Sequence, residues 1–203
     1  MSANKPSLSL LHKRFSFYAS YHNNGMNQLI HITMIPVIFW SALVMTSYIP
    51  TPSFLSSIVS DDLVASIPVV GHYMSVNTAI IPAVFYACYY LILSPSLGII
   101  AASFVFTAWC LVNVFLTTVG SDLAWKYALG AHIVGWVAQF IGHGVFEGRA
   151  PALFDSLFES LLMAPMFMCI EVAFAVGLFP TFRAEIEVIV AENLRKFKAE
   201  KAQ

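Results

Sequence analysis

Three side chains that can do chemistry, His143, Glu147 and Arg149, lie near the end of one apolar stretch, residues 136–153. His143 and Glu147 are four residues apart, so a helix that continued past Gly144 would place them one above the other on one face. An imidazole and a carboxylate at that spacing can bind a single metal ion, or the carboxylate can orient the imidazole. The other interpretation is an ordinary transmembrane helix that ends in polar side chains at the membrane surface.

Two glycines flank this histidine and a proline follows it. Gly142 and Gly144 lower the helix propensity and let another group approach the backbone closely. Pro151 stops the helix or begins the next element.

The composition shows that membrane helices must position these groups. Of the 203 residues, 59% are hydrophobic and only 10% are charged, and the mean hydropathy is +0.76, whereas soluble proteins carry about 25% charged residues. This is an integral membrane protein. A net charge of −1 gives no reason to invoke a nucleic-acid partner. The three cysteines form no CxxC pair, so the sequence indicates neither a disulfide framework nor a thiolate zinc site.

The hydropathy pattern predicts an all-α, polytopic membrane helix bundle with four to five apolar helices and amphipathic terminal helices. The apolar segments are 27–48, 77–93, 97–118, 123–146 and 155–179. Residues 11–21 form an amphipathic helix at the membrane surface. Residues 1–180 are interpreted as a single transmembrane domain, and residues 181–203 as a charged cytosolic C-terminal helix.

The distribution of basic residues predicts the orientation of the helices. No lysine or arginine occurs between residues 15 and 125. Because positive charges collect on the cytoplasmic side, Lys13, Arg14, Arg149 and the basic tail should lie there, with the loop 49–76 opposite. Five crossings would put the basic tail on the wrong side. We therefore expect 155–179 to be a kinked or re-entrant element around Pro165.

The same topology brings distant histidines to one membrane face. His22 and His31 lie at the start of the first apolar helix, and His143 lies at the end of the fourth, so all three should meet on the cytoplasmic side. His132 is eleven residues before His143 on the same helix. A separation of roughly 16 Å along the helix axis excludes the two from binding one ion. His132 is thus expected to be a polar group in the middle of the membrane.

Neutral imidazoles with a carboxylate suit zinc, iron, copper or nickel, and the spacings do not choose among them. Three histidines, with or without Glu147, leave the open coordination positions that a catalytic metal needs. Arg149 could hold a substrate carboxylate through a bidentate pair, and the apolar bundle could accept an acyl chain. Asn27 and Gln139 are candidates for hydrogen bonds to the ligands, and Asn27 could also cap the first apolar helix.

Two blocks of residues carry a resemblance to a known family. The first block is Tyr21-His22, Asn27, Leu29-Ile30-His31 and Pro36; the second is Gly135-Trp136, Gln139-Phe140, Gly142-His143-Gly144, Phe146-Glu147 and Arg149-Ala-Pro-Ala-Leu153, followed by Leu162-Met-Ala-Pro165 and Glu171. They resemble the fungal 2-hydroxy-fatty-acid dioxygenase family, the Mpo-type group long described as a domain of unknown function. The resemblance extends over about residues 8–180.

The resemblance implies a small multi-pass protein of the endoplasmic reticulum membrane, and the distribution of basic residues predicts that its active site faces the cytosol. It implies an iron(II)-dependent dioxygenase that uses dioxygen to shorten a 2-hydroxy long-chain fatty acid by one carbon, in fatty acid α-oxidation and phytosphingosine breakdown. By the same resemblance His22, His31 and His143 are the Fe²⁺ ligands, and Glu147 is a ligand or the partner of one. Arg149 falls in a basic segment where relatives can carry more basic residues, which weakens the case for this arginine.

Two other functions are compatible with the same residues. Histidines on two transmembrane helices could ligate a b-type haem for electron transfer. A membrane scaffold without catalysis could use them as hydrogen-bonded interface residues. A di-iron enzyme of the desaturase type is less favoured, because it would need eight or more clustered histidines and the chain has six.

Overall fold

The computed structural model describes residues 8–68 and 71–201, and within these ranges the chain is helical and contains no strand. The α-helices are α1 (Leu10–Ala19), α2 (Gly25–Thr46), α3 (Ser53–Ile58), α4 (Asp61–Ala65), α5 (Ile80–Leu93), α6 (Pro95–Val119), α7 (Ser121–Ile141), α8 (Leu157–Ala175) and α9 (Pro180–Lys201). A π-helical turn, Gly142–Glu147, continues α7 directly, and 3₁₀ turns occupy Gly71–Tyr73 and Ala152–Phe154.

Among the described residues, four helices are long and apolar enough to cross a membrane: α2, α6, α7 with its π turn, and α8. The fifth apolar helix, α5, has only 14 residues. The predicted all-α membrane bundle with four to five apolar helices is confirmed. Within its described residues, the loop predicted at 49–76 contains two short helices, α3 and α4.

Asparagine side chains organise the start of α2. Asn24 is the N-cap, and its Oδ1 accepts hydrogen bonds from the backbone N–H groups of Met26 and Asn27. The sequence favoured Asn27 as the cap. That assignment is wrong, because Asn27 is already inside the first turn and its side chain is fully buried. An N-cap accepts from the N2 and N3 amides, and only Asn24 has that position.

The α2 and α7 helices pack closely and run antiparallel. At their ends away from the histidines, the Tyr48 hydroxyl donates to the carbonyl of Ser121 at 2.6 Å. In the middle, a Cβ atom on Gly135 would lie 2.6 Å from the side chain of Ile38, so the glycine permits the contact. This pair of helices therefore forms a fixed frame for the groups at its other end.

The α8 helix contacts α1 near both of its own ends. Glu159, in its first turn, pairs with Arg14 at 3.4 Å, and the ring of Phe174, in its last turn, lies 5.9 Å from that of Phe15. Pro165 lies inside the helix, which is continuous. The helix is long and apolar enough to cross a membrane, so the re-entrant character of 155–179 stays a prediction from the charge distribution.

The C-terminal helix α9 also lies against α1. His12 Nε2 is 2.8 Å from the Glu185 carboxylate, and the Asn193 amide donates to Ser20 Oγ at 3.1 Å. Ile186 contributes to the buried core. The charged helix is thus packed on the same side of the bundle as the N-terminal helix.

Candidate metal centre

Three histidine rings meet where α1, α2 and the π turn after α7 come together. The ring centroids of His22 and His31 are 4.3 Å apart, and each lies 4.8 Å from that of His143. One nitrogen of each ring lies within 4.8 Å of the others, and each residue is 3% exposed or less. The structure therefore brings together the three histidines that the distribution of basic residues predicted on one membrane face.

Backbone carbonyls set the tautomer of two of these rings. His22 Nδ1 donates to the carbonyl of Tyr18 at 2.8 Å, and His31 Nδ1 donates to the carbonyl of Asn27 at 2.9 Å. A carbonyl oxygen can only accept, so both Nδ1 atoms carry the proton and both Nε2 atoms keep a lone pair. Metal-binding histidines are commonly oriented through the other ring nitrogen in this way.

The unpaired nitrogens in this cluster fit a metal ion. His22 Nε2 and His143 Nδ1 are buried and have no hydrogen-bond partner. A buried polar atom without a partner costs about 1–3 kcal/mol, and a divalent ion bound to the lone pairs would remove that cost. Burial lowers the pKa of His22 well below 6.5, and the neighbouring His31 lowers it further. His22 is therefore neutral at physiological pH, the form that binds metal.

The Glu147 carboxylate lies outside the group of nitrogens and accepts hydrogen bonds from the turn between α1 and α2 and from the start of α2. It accepts from the backbone N–H of Asn23 at 3.0 and 3.1 Å, from that of Asn24 at 3.0 Å, and from Asn27 Nδ2 at 3.0 Å. These donors stand between His22 and His31 in the chain. Glu147 thus connects the segment that carries His143 to the segment that carries the other two ligands.

One of the two glycines beside His143 makes a close approach. A Cβ on Gly142 would lie 2.5 Å from Asn27 Oδ1, whereas a Cβ on Gly144 would meet nothing within 4 Å. The predicted close approach therefore holds for Gly142 only. The backbone beyond Ile141 follows a π-helix, a form that frequently occurs at functional sites.

Arg149 is held between two aromatic rings. Its guanidinium carbon lies 3.6 Å from the ring centre of Tyr21 and 3.9 Å from that of Phe197 in α9, and Nη1 donates to the carbonyl of Ser20. The Tyr21 hydroxyl in turn donates to Asp155 at 2.5 Å. In this conformation Arg149 connects α9 to the end of α1, and it is not among the residues that line the cavity beside the three histidines.

A small cavity of about 40 Å³ adjoins the three histidines. Gln139 and Ser160 contribute polar groups to its lining, and both residues are less than 9% exposed. Ser160 Oγ is buried without a hydrogen-bond partner. The sequence pointed to Gln139 but not to Ser160, because a lone serine in an apolar helix carries no spacing signal. Its position is visible only when α8 is packed against the histidines.

His132 forms a separate hydrogen-bonded unit. Trp136 Nε1 donates to His132 Nε2 at 2.9 Å, so Nδ1 carries the ring proton and donates to Ser41 Oγ, also at 2.9 Å. Both ring nitrogens are therefore occupied. His132 is not part of the metal-capable group, in agreement with the separation of roughly 16 Å from His143 that the sequence predicts.

Fold and site together define a class: a multi-helix membrane protein with a buried three-histidine centre. The family model described as 2-hydroxy-palmitic acid dioxygenase Mpo1-like matches residues 8–176. The chain is 32% identical to the 2-hydroxy-palmitic acid dioxygenase MPO1 of Saccharomyces cerevisiae over 188 residues, 91% of this chain and 94% of the relative. No solved structure matches. The chain belongs to the Mpo1-like family.

Proposed function

We propose that the protein is an iron(II)-dependent dioxygenase that shortens 2-hydroxy long-chain fatty acids by one carbon at the endoplasmic reticulum membrane, with its site facing the cytosol. The observation that carries the proposal is the set of buried, unpaired imidazole nitrogens of His22 and His143 beside His31. The printed name of the yeast relative supports the reaction and the substrate class.

The overall chemistry balances without a further co-substrate. A 2-hydroxy acid and dioxygen give the fatty acid one carbon shorter, carbon dioxide and water, so the substrate supplies all four electrons that reduce dioxygen. A ferrous ion held by the three histidines would supply the redox chemistry that cleaves the bond between carbons 1 and 2. Three protein ligands leave coordination positions open, as such chemistry requires.

The polar groups in the cavity are suited to the head of the substrate. Ser160 has an unpaired hydroxyl and Gln139 an amide, and both line the cavity beside the histidines. We assign them to hydrogen bonds with the carboxylate and the 2-hydroxyl group. The catalytic roles for Glu147 and Arg149 remain predictions. The contacts of both residues support positioning roles, in which they hold the segments that bear the histidines.

The test is conversion of 2-hydroxypalmitic acid by purified protein in detergent, with and without added ferrous iron. We expect release of pentadecanoic acid that depends on iron and is lost in His143→Ala, together with bound iron measured by elemental analysis. His12→Ala is the matched control, because His12 contacts Glu185 away from the cluster. Folded, iron-loaded protein that gave no shortened product would refute the proposal.

The rival functions make different predictions in the same experiment. A b-type haem would have to bind beside the histidines, where the adjoining cavity is small, about 40 Å³. A haem protein would show a Soret band, whereas the proposed enzyme would be colourless before oxidation. A scaffold would retain its function after alanine replaced the three histidines.

A further inference from the structure

A second cavity adjoins the histidine cavity and extends into the bundle. It has a volume of about 340 Å³ and lies among α2, α5, α7 and α8. Four residues line both cavities, namely Trp136, Gln139, Leu161 and Ala164. The remaining lining is almost entirely apolar and includes Ile35, Ile38, Phe39, Ala42, Tyr86 and Pro165. We refer to this space as the inner cleft.

The inner cleft leads away from the metal centre towards the middle of the membrane. On α2 its lining runs from Ile35 to Ala42, which follow His31, and on the antiparallel α7 it reaches back to His132. From His31 to Ala42 is eleven residues, a length of roughly 16 Å along the helix. The lining of the cleft on α2 therefore extends to about 16 Å beyond His31.

Hydrogen bonds fix the wall at the junction of the two cavities. The Trp136 indole donates to His132, and His132 donates to Ser41. Because both nitrogens of His132 are occupied, this residue presents no unpaired polar group to the cleft. The hydrogen bond between Trp136 and His132 instead holds the large Trp136 ring in one orientation. The inner cleft thus offers an apolar surface beyond a polar head site, the arrangement that suits an amphiphile.

We infer that the inner cleft binds the acyl chain of the substrate and that its far end at Ala42 limits the chain length. The inference rests on the proposed function, since the head group is assigned to the histidine cavity. The half-exposed side chains of Ile38 and Leu161 at the rim would let the chain enter sideways from the bilayer. A volume of about 340 Å³ lies within the roughly 300–1,000 Å³ typical of ligand pockets.

Another apolar groove serves as the internal comparison. It lies between α2 and α6, has a volume of about 470 Å³ and is lined in part by Val37 and Val114. It is larger than the inner cleft but shares no lining residue with the histidine cavity. An acyl chain in that groove could not present its head to the histidines. The four lining residues shared with the histidine cavity therefore favour the inner cleft.

The test compares kcat/KM for 2-hydroxylauric and 2-hydroxypalmitic acids in matched variants of α2. Ala42→Phe fills the far end of the inner cleft, whereas Val37→Phe adds the same ring to the separate groove. Since each methylene displaced from an apolar site weakens binding roughly fourfold, we expect Ala42→Phe to shift the ratio at least about tenfold towards the shorter acid. Val37→Phe should leave the ratio unchanged. Ala42→Leu, a smaller change, should shift it in the same direction.

A second readout does not depend on turnover. A 2-hydroxypalmitic acid brominated in the middle of its chain should quench the fluorescence of Trp136, and the quenching should be weaker in Trp136→Phe and in Ala42→Phe. Quenching without any product would refute the proposed function and leave the cleft assignment intact. Product formation with an unshifted ratio in folded, iron-loaded Ala42→Phe, or quenching by brominated phospholipid alone, would overturn the cleft assignment and leave the function intact.

Discussion

Replacing Glu147 by glutamine tests how the metal centre is assembled. The carboxylate accepts from three donor groups, the backbone amides of Asn23 and Asn24 and the side chain of Asn27. A glutamine keeps one acceptor oxygen, but it turns an NH₂ group towards donors and removes the charge. Hydrogen bonds to charged groups contribute about 1.5–3 kcal/mol each, and Glu147 is partly exposed. We therefore expect a loss of about 2–4 kcal/mol in the free energy of unfolding.

The assay measures thermal unfolding of the protein in detergent, once without metal and once after loading with ferrous iron. If Glu147 positions the histidine segments, Glu147→Gln should lower the Tm of the metal-free protein. If Glu147 were instead an iron ligand, the metal-free protein would be little affected and only the stabilisation by iron would fall, because a ligand stabilises through its binding free energy. Activity should fall in both cases, so only the pair of Tm values separates them.

Glu159→Gln is the matched control. Its carboxylate also pairs across the structure, with Arg14 at 3.4 Å, but both side chains are about one-third exposed. Such pairs contribute about 0–1 kcal/mol, so the Tm should change little. A metal-free Glu147→Gln protein as stable as the Glu159→Gln control would refute the positioning role.

Three further predictions follow from other contacts of the site. Gly142→Ala should destabilise the protein by about 1–3 kcal/mol, because its new methyl group meets a buried amide, whereas Gly144→Ala should be neutral or stabilising; thermal unfolding distinguishes them. Burial lowers the pKa of His22, so just below pH 6.5 only the unfolded state binds a proton at this residue. The metal-free protein should therefore lose stability as the pH falls, and the His22→Phe variant should lose less. Arg149→Ala should remove two cation–π contacts and Phe197→Ala one of them, and each contact contributes about 0.5–2 kcal/mol. Hydrogen exchange in α9 should therefore accelerate more in Arg149→Ala than in Phe197→Ala.

The agreement between sequence and fold is best for properties that depend on neighbouring residues. Runs of apolar residues predicted α2, α6 and α7 to within a few residues, since a helix in lipid must satisfy its own backbone hydrogen bonds. The expected re-entrant behaviour of 155–179 came from charge balance alone and stays a prediction, since α8 is a continuous helix long enough to cross a membrane. The cap of α2 was misassigned because several asparagines in succession satisfy the same local rule.

The structure shows contacts of individual side chains that spacing along the chain does not predict, and the catalytic roles of Glu147 and Arg149 stay predictions. Glu147 lies four residues after His143, which made it a candidate ligand, but its carboxylate is engaged by the turn before α2. Arg149 was a candidate for holding a substrate carboxylate, and its guanidinium is stacked between two rings instead. Spacing along one helix cannot show what a facing helix offers to the same side chain.

From the sequence alone one could determine the membrane class, the helical bundle and the three histidines that share one face. These conclusions rest on hydropathy and on the positions of basic residues, both of which are written into the chain itself. Only the tertiary structure decided which nitrogens of His22 and His31 are free, that Ser160 enters the site, and that the inner cleft adjoins the histidine cavity. The reason is physical: these features depend on the rotation of each helix about its axis and on the contacts between residues that are distant in the chain, neither of which local patterns specify.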